Sequence, residues 1–340
     1  MSGKYILCSA LVVTLLLAGC DSNDEPTATP SATLEATPPA AEPLCPLTGQ
    51  APLAGVDLAR PAVAVKIENL PQARPQHGLD KADVVIEELV EGGITRFMAI
   101  YHCGSSSDAG PVRSARFDDP KLALPFTRVL AYSGSNGLVN RQLEKRKLVT
   151  LNELNQASAF FRVPPGTILV HNLFVRTEKL RHDPRVKRVK PPAEDLFEFG
   201  DVQDGARRAR RIRINFNTSV TIEYRYKNGE WKRFEGGPFM THTGKQISVP
   251  NVLIQEVKVS NSRRLVDIAG NSSPVLDLTG KARAFLFRDG KVIKGTWHRN
   301  NGRFNYRTKK GEDFVFARGP IWIELVPSPK GQVKGSFSYN

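Results

Sequence analysis

Four arginines crowd one stretch of the chain, with Arg74, Arg96, Arg113 and Arg116 all falling between Glu68 and Arg116. A guanidinium is a planar fork that matches carboxylate and phosphate, so the cluster could grip an anionic wall polymer, a lipid-linked precursor or a lipid. Pro111 is placed to open a helix carrying Arg113 and Arg116 at i, i+3, where a helix amino terminus adds a favourable dipole. The competing reading is internal pairing, because Asp83, Glu87, Glu88 and Glu91 nearly match the arginines in number. The same carboxylates raise the question of glycan cleavage, which needs two carboxyl groups about 5–10 Å apart. On an extended strand Glu87 and Glu91 share a face but lie roughly 13 Å apart, while Glu87 and Glu88 point to opposite faces. What remains is a single general acid, Glu87, with Glu91 as a second catalytic candidate.

Other chemistries find less support. Ser114, between two arginines, and the Ser133–Gly137 loop hold the only serines in suggestive company, and there is no Gly-x-Ser-x-Gly elbow. The six histidines, at 77, 102, 171, 182, 242 and 298, show no zinc-type spacing, so no metal and no cofactor is expected. Trp231, Trp297 and Trp322 could stack on sugar rings if exposed, but in a small β domain a tryptophan is more often core.

The elements that would position these residues change character along the chain. Asp83–Val90 and Ile94–His102 read as a β-hairpin closed by Glu91-Gly92-Gly93, its second arm an interior strand. Between Phe117 and Ala159 the spacing turns helical, as in Leu143, Leu148, Leu151 and Leu154, with Asn152 as a cap, and Thr167–Val170 resumes a strand. After an acidic segment at Glu194–Asp204 nearly everything is strand and turn. Val220, Ile222, Tyr224 and Tyr226 alternate with polar residues, and Asn228-Gly229, Asp289-Gly290 and Asn301-Gly302 are hairpin turns. The expected fold class is α+β: a mixed α/β N-terminal domain at 44–198, then a smaller β-rich sandwich or half-barrel at 206–328.

The amino terminus is of a different kind. Lys4, then an apolar run from Tyr5 to Leu17, is the layout of a secretory signal, too short to span a bilayer stably. Leu17-Ala18-Gly19-Cys20 resembles a lipobox, which implies removal of residues 1–19 and diacylation of the Cys20 thiol, for instance with palmitate. Residues 20–43 are rich in Pro, Ala, Thr, Ser and Glu and read as a disordered tether of roughly 25–30 Å reach. Cys45 and Cys103 are then the free pair in an oxidising compartment, and a disulfide between them is expected. Two buried thiols, or a metal pair lacking further ligands, fit export less well.

The formal net charge is +14, concentrated in runs at Arg141–Lys147, Arg181–Lys190 and Arg207–Arg213. Outside the cytoplasm this argues against nucleic acid and for anionic headgroups or wall polymers, or else for a solvated basic face without a ligand.

The strings Glu68–Leu79, Ala82–Glu88, Val90–Phe97 and Gly110–Arg116 closely resemble the YerB-like envelope lipoproteins, a bacterial family whose domain has no established function. His171-Asn172-Leu173, Pro250–Gln255 and Gly295-Thr296-Trp297 extend the resemblance over nearly the whole chain after the tether. It implies a two-part architecture and a lipoprotein location, and brings no reaction with it. His77, His171 and Asn172, inside the matched strings, join the four arginines and Ser114 as ligand-binding candidates. The reading is therefore a membrane-anchored extracytoplasmic lipoprotein that binds an anionic envelope ligand without catalysis. Its rivals are a peptidoglycan-modifying enzyme using Glu87, which requires Glu87 in an open cleft, and a module that recruits another envelope protein.

Overall fold

Every residue of Val63–Glu68 (β1), Val84–Leu89 (β2) and Thr95–Tyr101 (β3) is buried, so these strands face apolar cores on both sides. Successive side chains point to opposite faces: Val63, Val65 and Ile67 enter one core while Ala62 and Ala64 enter the other. This computed structural model describes residues 42–163, 171–217, 219–267 and 270–340. The signal, Cys20, most of the tether and the strand expected at Thr167–Val170 lie outside the described residues.

The three strands sit in a 12-stranded sheet. Beyond β1 it continues through Val129–Ala131 (β4) and Val149–Leu151 (β5), both parallel. On its other side β2 pairs in parallel with Ile321–Pro327, which pairs in parallel with Asn251–Val266. Hairpin partners Lys281–Arg288, Lys291–Asn300 and Arg303–Thr308 then complete that wing. Both stretches read from sequence as separate domains thus contribute to one sheet, within a single compact unit from Glu42 to Asn340. A 5-stranded sheet built on Thr221–Lys227 and Glu230–Phe234 covers one face, where Trp231 meets Phe287 with ring centroids 5.8 Å apart. Among the described residues strand outweighs helix, 43% to 11%, so the fold is mostly β.

Local expectations fare unevenly. The β2–β3 hairpin forms, with Gly92 and Gly93 both at φ 71° in its turn. Asn228-Gly229, at φ 55° and 85°, closes its hairpin as read, and Cys45 and Cys103 are disulfide-bonded with Cα atoms 6.0 Å apart. The helix expected after Pro111 is absent. The Val112 amide donates to the Leu173 carbonyl at 2.7 Å and the Arg113 amide to that of Lys66 at 2.9 Å, so long-range pairing holds the segment extended. Among the described residues the helices are short: Asp119–Ala123 (α1), Gly137–Lys145 (α2) and Thr177–Arg181 (α3). All three lie in the first half beside β1–β5, but they are too short to make a clear α/β domain of it, and the fold as a whole is mostly β. Leu151 ends β5 rather than lying on a helix, Leu154 is exposed, and Asn152 caps a turn by accepting from the amides of Leu154 and Asn155. The helix cap is Asn136, which accepts from the Val139 amide at 2.9 Å. All three tryptophans are core, each at most 1% exposed.

Candidate functional site

Alternation along β2 sends Glu87 and Glu88 to opposite faces, and each meets a buried cation there. Glu87 faces the smaller sheet. Its Oε2 lies 2.9 Å from Nη2 of Arg233, and its Oε1 accepts from Thr95 Oγ1 at 2.6 Å and Asn69 Nδ2 at 3.3 Å. Arg233 is itself fully buried, reaches Glu235 and Glu324, and lies against the rings of Phe97, Tyr224, Phe239 and Trp322. Burial pushes the Glu87 carboxyl well above its ordinary range, against the pull of Arg233. That raised pKa does not make a general acid, because Glu87 has no exposed surface from which to reach a substrate. The requirement of an open cleft is not met, and Glu87 is a core residue.

On the opposite face Lys66 joins Glu88 and lies 2.8 Å from Asp119 of α1, all three fully or almost fully buried. In the β1–β3 register Glu68 stands directly across from Arg96. Its carboxylate lies 2.5 Å from Arg113 Nε, 3.7 Å from Arg96 Nε and 3.8 Å from His171 Nδ1. Burial, with Arg116 close by, lowers Arg96 to about 10. Arg116 binds Glu91, its Nε donating at 2.6 Å, and Glu91 also accepts from the Ser273 hydroxyl, so the second catalytic candidate is a buried ion-pair partner. Ser114 enters through its carbonyl, which accepts from Arg96 and Arg116 at 3.2 Å each. Asn172 accepts from Arg162 at 2.8 Å. Arg74 binds Asn69 and Glu235, the latter shared with Arg233. His77 meets Asp108.

The structure therefore brings Arg96, Arg113, Arg116, Ser114 and His171 together but places a carboxylate within reach of every motif arginine. Of the acids expected to pair with them only Glu91 does so. Glu68 and Glu235 were missed, the first because it becomes visible only with the β1–β3 register, the second because its partner Arg74 is remote in sequence.

Cations without matching acids gather elsewhere. Two of the three basic runs meet at a cleft of about 710 Å³, between the end of α1, the segment at 185–193 and the turn after Lys291–Asn300. Its lining contains seven arginines and lysines and no acidic residue. Arg185 and Arg303 have carboxylate partners, Asp183 and Asp195. Arg128, Arg146, Arg188 and Lys190 have no ion-pair partner among the described residues. Arg299 lies beneath them, over the Phe304 ring, with Nη2 donating to the Lys121 and Gly302 carbonyls. Its Nη1 is buried without a hydrogen-bond partner among the described residues. Burial and the neighbouring Arg146 lower the pKa of Arg299, the mark of a cation crowded by like charge.

The comparisons with known proteins place this mostly β chain in a family. Residues 47–190 match the N-terminal domain, and residues 211–323 the C-terminal domain, of a protein family of unknown function (DUF3048). The chain belongs to this family. It is 33% identical over 337 residues to the "Putative lipoprotein YerB" of Bacillus subtilis (strain 168), covering 94% of each chain. The crystal structure of the YerB protein from Bacillus subtilis matches with a TM-score of 0.70 at 29% identity, over 87% of this chain and 99% of that one.

Proposed function

We propose that this protein is an exported lipoprotein, anchored on the extracytoplasmic membrane face through diacylated Cys20, whose basic cleft holds a phosphate- or carboxylate-bearing envelope ligand without transforming it. The observation that carries the reading is the cleft lining, rich in cations and free of acids, with Arg299 Nη1 left unpaired at its base. The name of the Bacillus subtilis relative supports the anchor. The motif arginines Arg74, Arg96, Arg113 and Arg116 are the weaker seat, because their charge is already answered by Glu235, Glu68 and Glu91.

The test is co-sedimentation of the detergent-solubilised full chain with purified cell wall carrying its anionic polymer, and separately with vesicles of anionic or neutral lipid. Binding to wall alone identifies a polymer, and binding to anionic vesicles alone identifies a headgroup. In either case Arg146→Glu with Arg188→Glu is expected to weaken binding at least tenfold and Arg113→Ala to leave it unchanged. A loss with Arg113→Ala instead moves the site to the motif. Wall fragments released into the supernatant make the protein an enzyme and overturn the reading, as does failure to bind either material.

A further inference from the structure

Three metal-competent side chains from distant parts of the chain converge beside Gly110. His77 Nδ1 lies 2.7 Å from Asp108 Oδ2, and His242 Nε2 lies 3.4 Å from the same oxygen. The two imidazoles stack with centroids 3.8 Å apart and planes 9° apart. One ligand atom from each of the three residues lies within 4.8 Å of the others, near enough for one cation to draw them together.

The main chain builds this meeting. The His77 amide donates to the Gly110 carbonyl at 2.9 Å, Gly110 returns a bond to His77 at 3.2 Å, and the His242 amide donates to the Gln76 carbonyl at 3.2 Å. Asp108 is aimed from behind, since its Oδ1 accepts from Ser106 Oγ at 3.1 Å, leaving Oδ2 to the histidines. Gly78 permits the close approach of that loop: it sits at φ 78°, and a Cβ there would lie 2.6 Å from Ser106 Oγ. The His77 ring packs against Phe174 at 4.8 Å between centroids. Each of the three side chains still keeps between 27% and 31% of its surface in solvent, so an ion can enter.

We infer that His77, Asp108 and His242 form a binding site for a divalent ion of the zinc class, with one coordination position open to solvent. Two imidazoles and a carboxylate are the donor types that borderline ions such as zinc prefer, and three protein ligands with an open fourth position is a recurrent zinc arrangement. Tetrahedral bonds of about 2.0–2.2 Å put neighbouring donors roughly 3.4 Å apart. The His242–Asp108 pair already has that separation, whereas the His77–Asp108 hydrogen bond must open by roughly 0.7 Å as the rings turn out of their stack to face the ion. The entering cation takes the Nδ1 position of His77, whose proton moves to Nε2 of the same ring, and protons compete with the ion for both imidazoles, so affinity falls as the pH is lowered. Ser106 is then the outer partner that keeps the carboxylate oriented.

The experiment uses untagged full chain in detergent, stripped with a chelator and titrated with zinc and with cobalt(II). One equivalent of zinc and a visible cobalt spectrum of tetrahedral type are expected. His242→Ala and Asp108→Asn are expected to cost more than the roughly 10–100-fold associated with an outer-partner mutation, and Ser106→Ala to fall within that range. His182→Ala and His298→Ala are expected to leave the titration unchanged. Because His242 lies on an exposed loop, thermal denaturation of the metal-free His242→Ala variant separates lost ligation from misfolding. The inference fails if the native chain takes up no zinc, or if it takes up zinc that a folded His242→Ala variant binds equally well; the cluster is then a hydrogen-bonded histidine stack only.

Discussion

Arg233 and Arg188 are the same side chain under opposite conditions. Arg233 is fully buried, has three carboxylates within 4 Å and four aromatic rings around it. Arg188 is exposed, lines the basic cleft and has no ion-pair partner among the described residues. Removing a guanidinium from water costs several kcal/mol unless counter-charge and hydrogen bonds replace the solvent, so strand positions that bury arginine are matched by glutamates on facing strands. Loop positions carry no such requirement. The interior is in fact acid-rich, since Glu87 and Glu324 share Arg233 and burial pushes both carboxyls upward. The net charge of +14 is therefore a property of the surface, and most informative where the surface is concave.

The largest expected effect tests the buried side of this contrast. Arg233→Met leaves Glu87 and Glu324 without their shared cation and is expected to cost about 3–5 kcal/mol in urea denaturation. Adding Glu87→Gln and Glu324→Gln should recover much of that loss, because the residual penalty lies in unpaired acid rather than lost packing. An Arg233→Met chain of native stability would break the contrast.

The sequence carried part of this plan and not the rest. Turns are written locally: Asn228 and Gly229 accept positive φ, so the hairpin they close could be read directly. The disulfide followed from compartment and elimination. Helical spacing misled at Leu151 and Leu154, because apolar residues at short intervals also serve a strand end and an exposed turn. The partners of the charged residues were illegible for another reason. Glu87 with Arg233, Arg74 with Glu235, and His77 with His242 each join segments far apart in the chain, and only strand register or loop docking brings them together. Counting acids near arginines in sequence gave the correct kind of interaction with mostly incorrect partners.

An intermediate effect sharpens the rule that a buried cation needs an acid. His102 has no exposed surface and no carboxylate within ion-pair distance among the described residues. Its Nε2 bonds to the Leu58 and Arg60 carbonyls, and burial lowers its pKa to about 4 from an ordinary 6.5. A histidine whose folded pKa is depressed is neutral in the fold, while the unfolded chain takes up a proton below about 6.5. Its burial therefore weakens stability as the pH falls from 6.5 to 4, by on the order of 2–3 kcal/mol at the lower limit. Urea midpoints across that range should show the decline in the native chain and a shallower one in His102→Gln. Equal slopes would mean that other groups carry the acid sensitivity.

The smallest expected effect lies in the cleft, where a charge can be removed at little structural cost. Arg146 is exposed, and its positive charge disfavours that of the half-buried Arg299. Arg146→Ala should therefore leave stability within about 0.5 kcal/mol of native, with a slight gain at low ionic strength as repulsion is relieved. At about 1 M salt, where screening acts over roughly 3 Å, the gain should vanish. The same substitution should weaken anion binding by an amount that shrinks with salt in parallel. A chain destabilised by several kcal/mol by Arg146→Ala would mean that this arginine is structural like Arg233, and the division between matched interior charge and unmatched cleft charge would not hold.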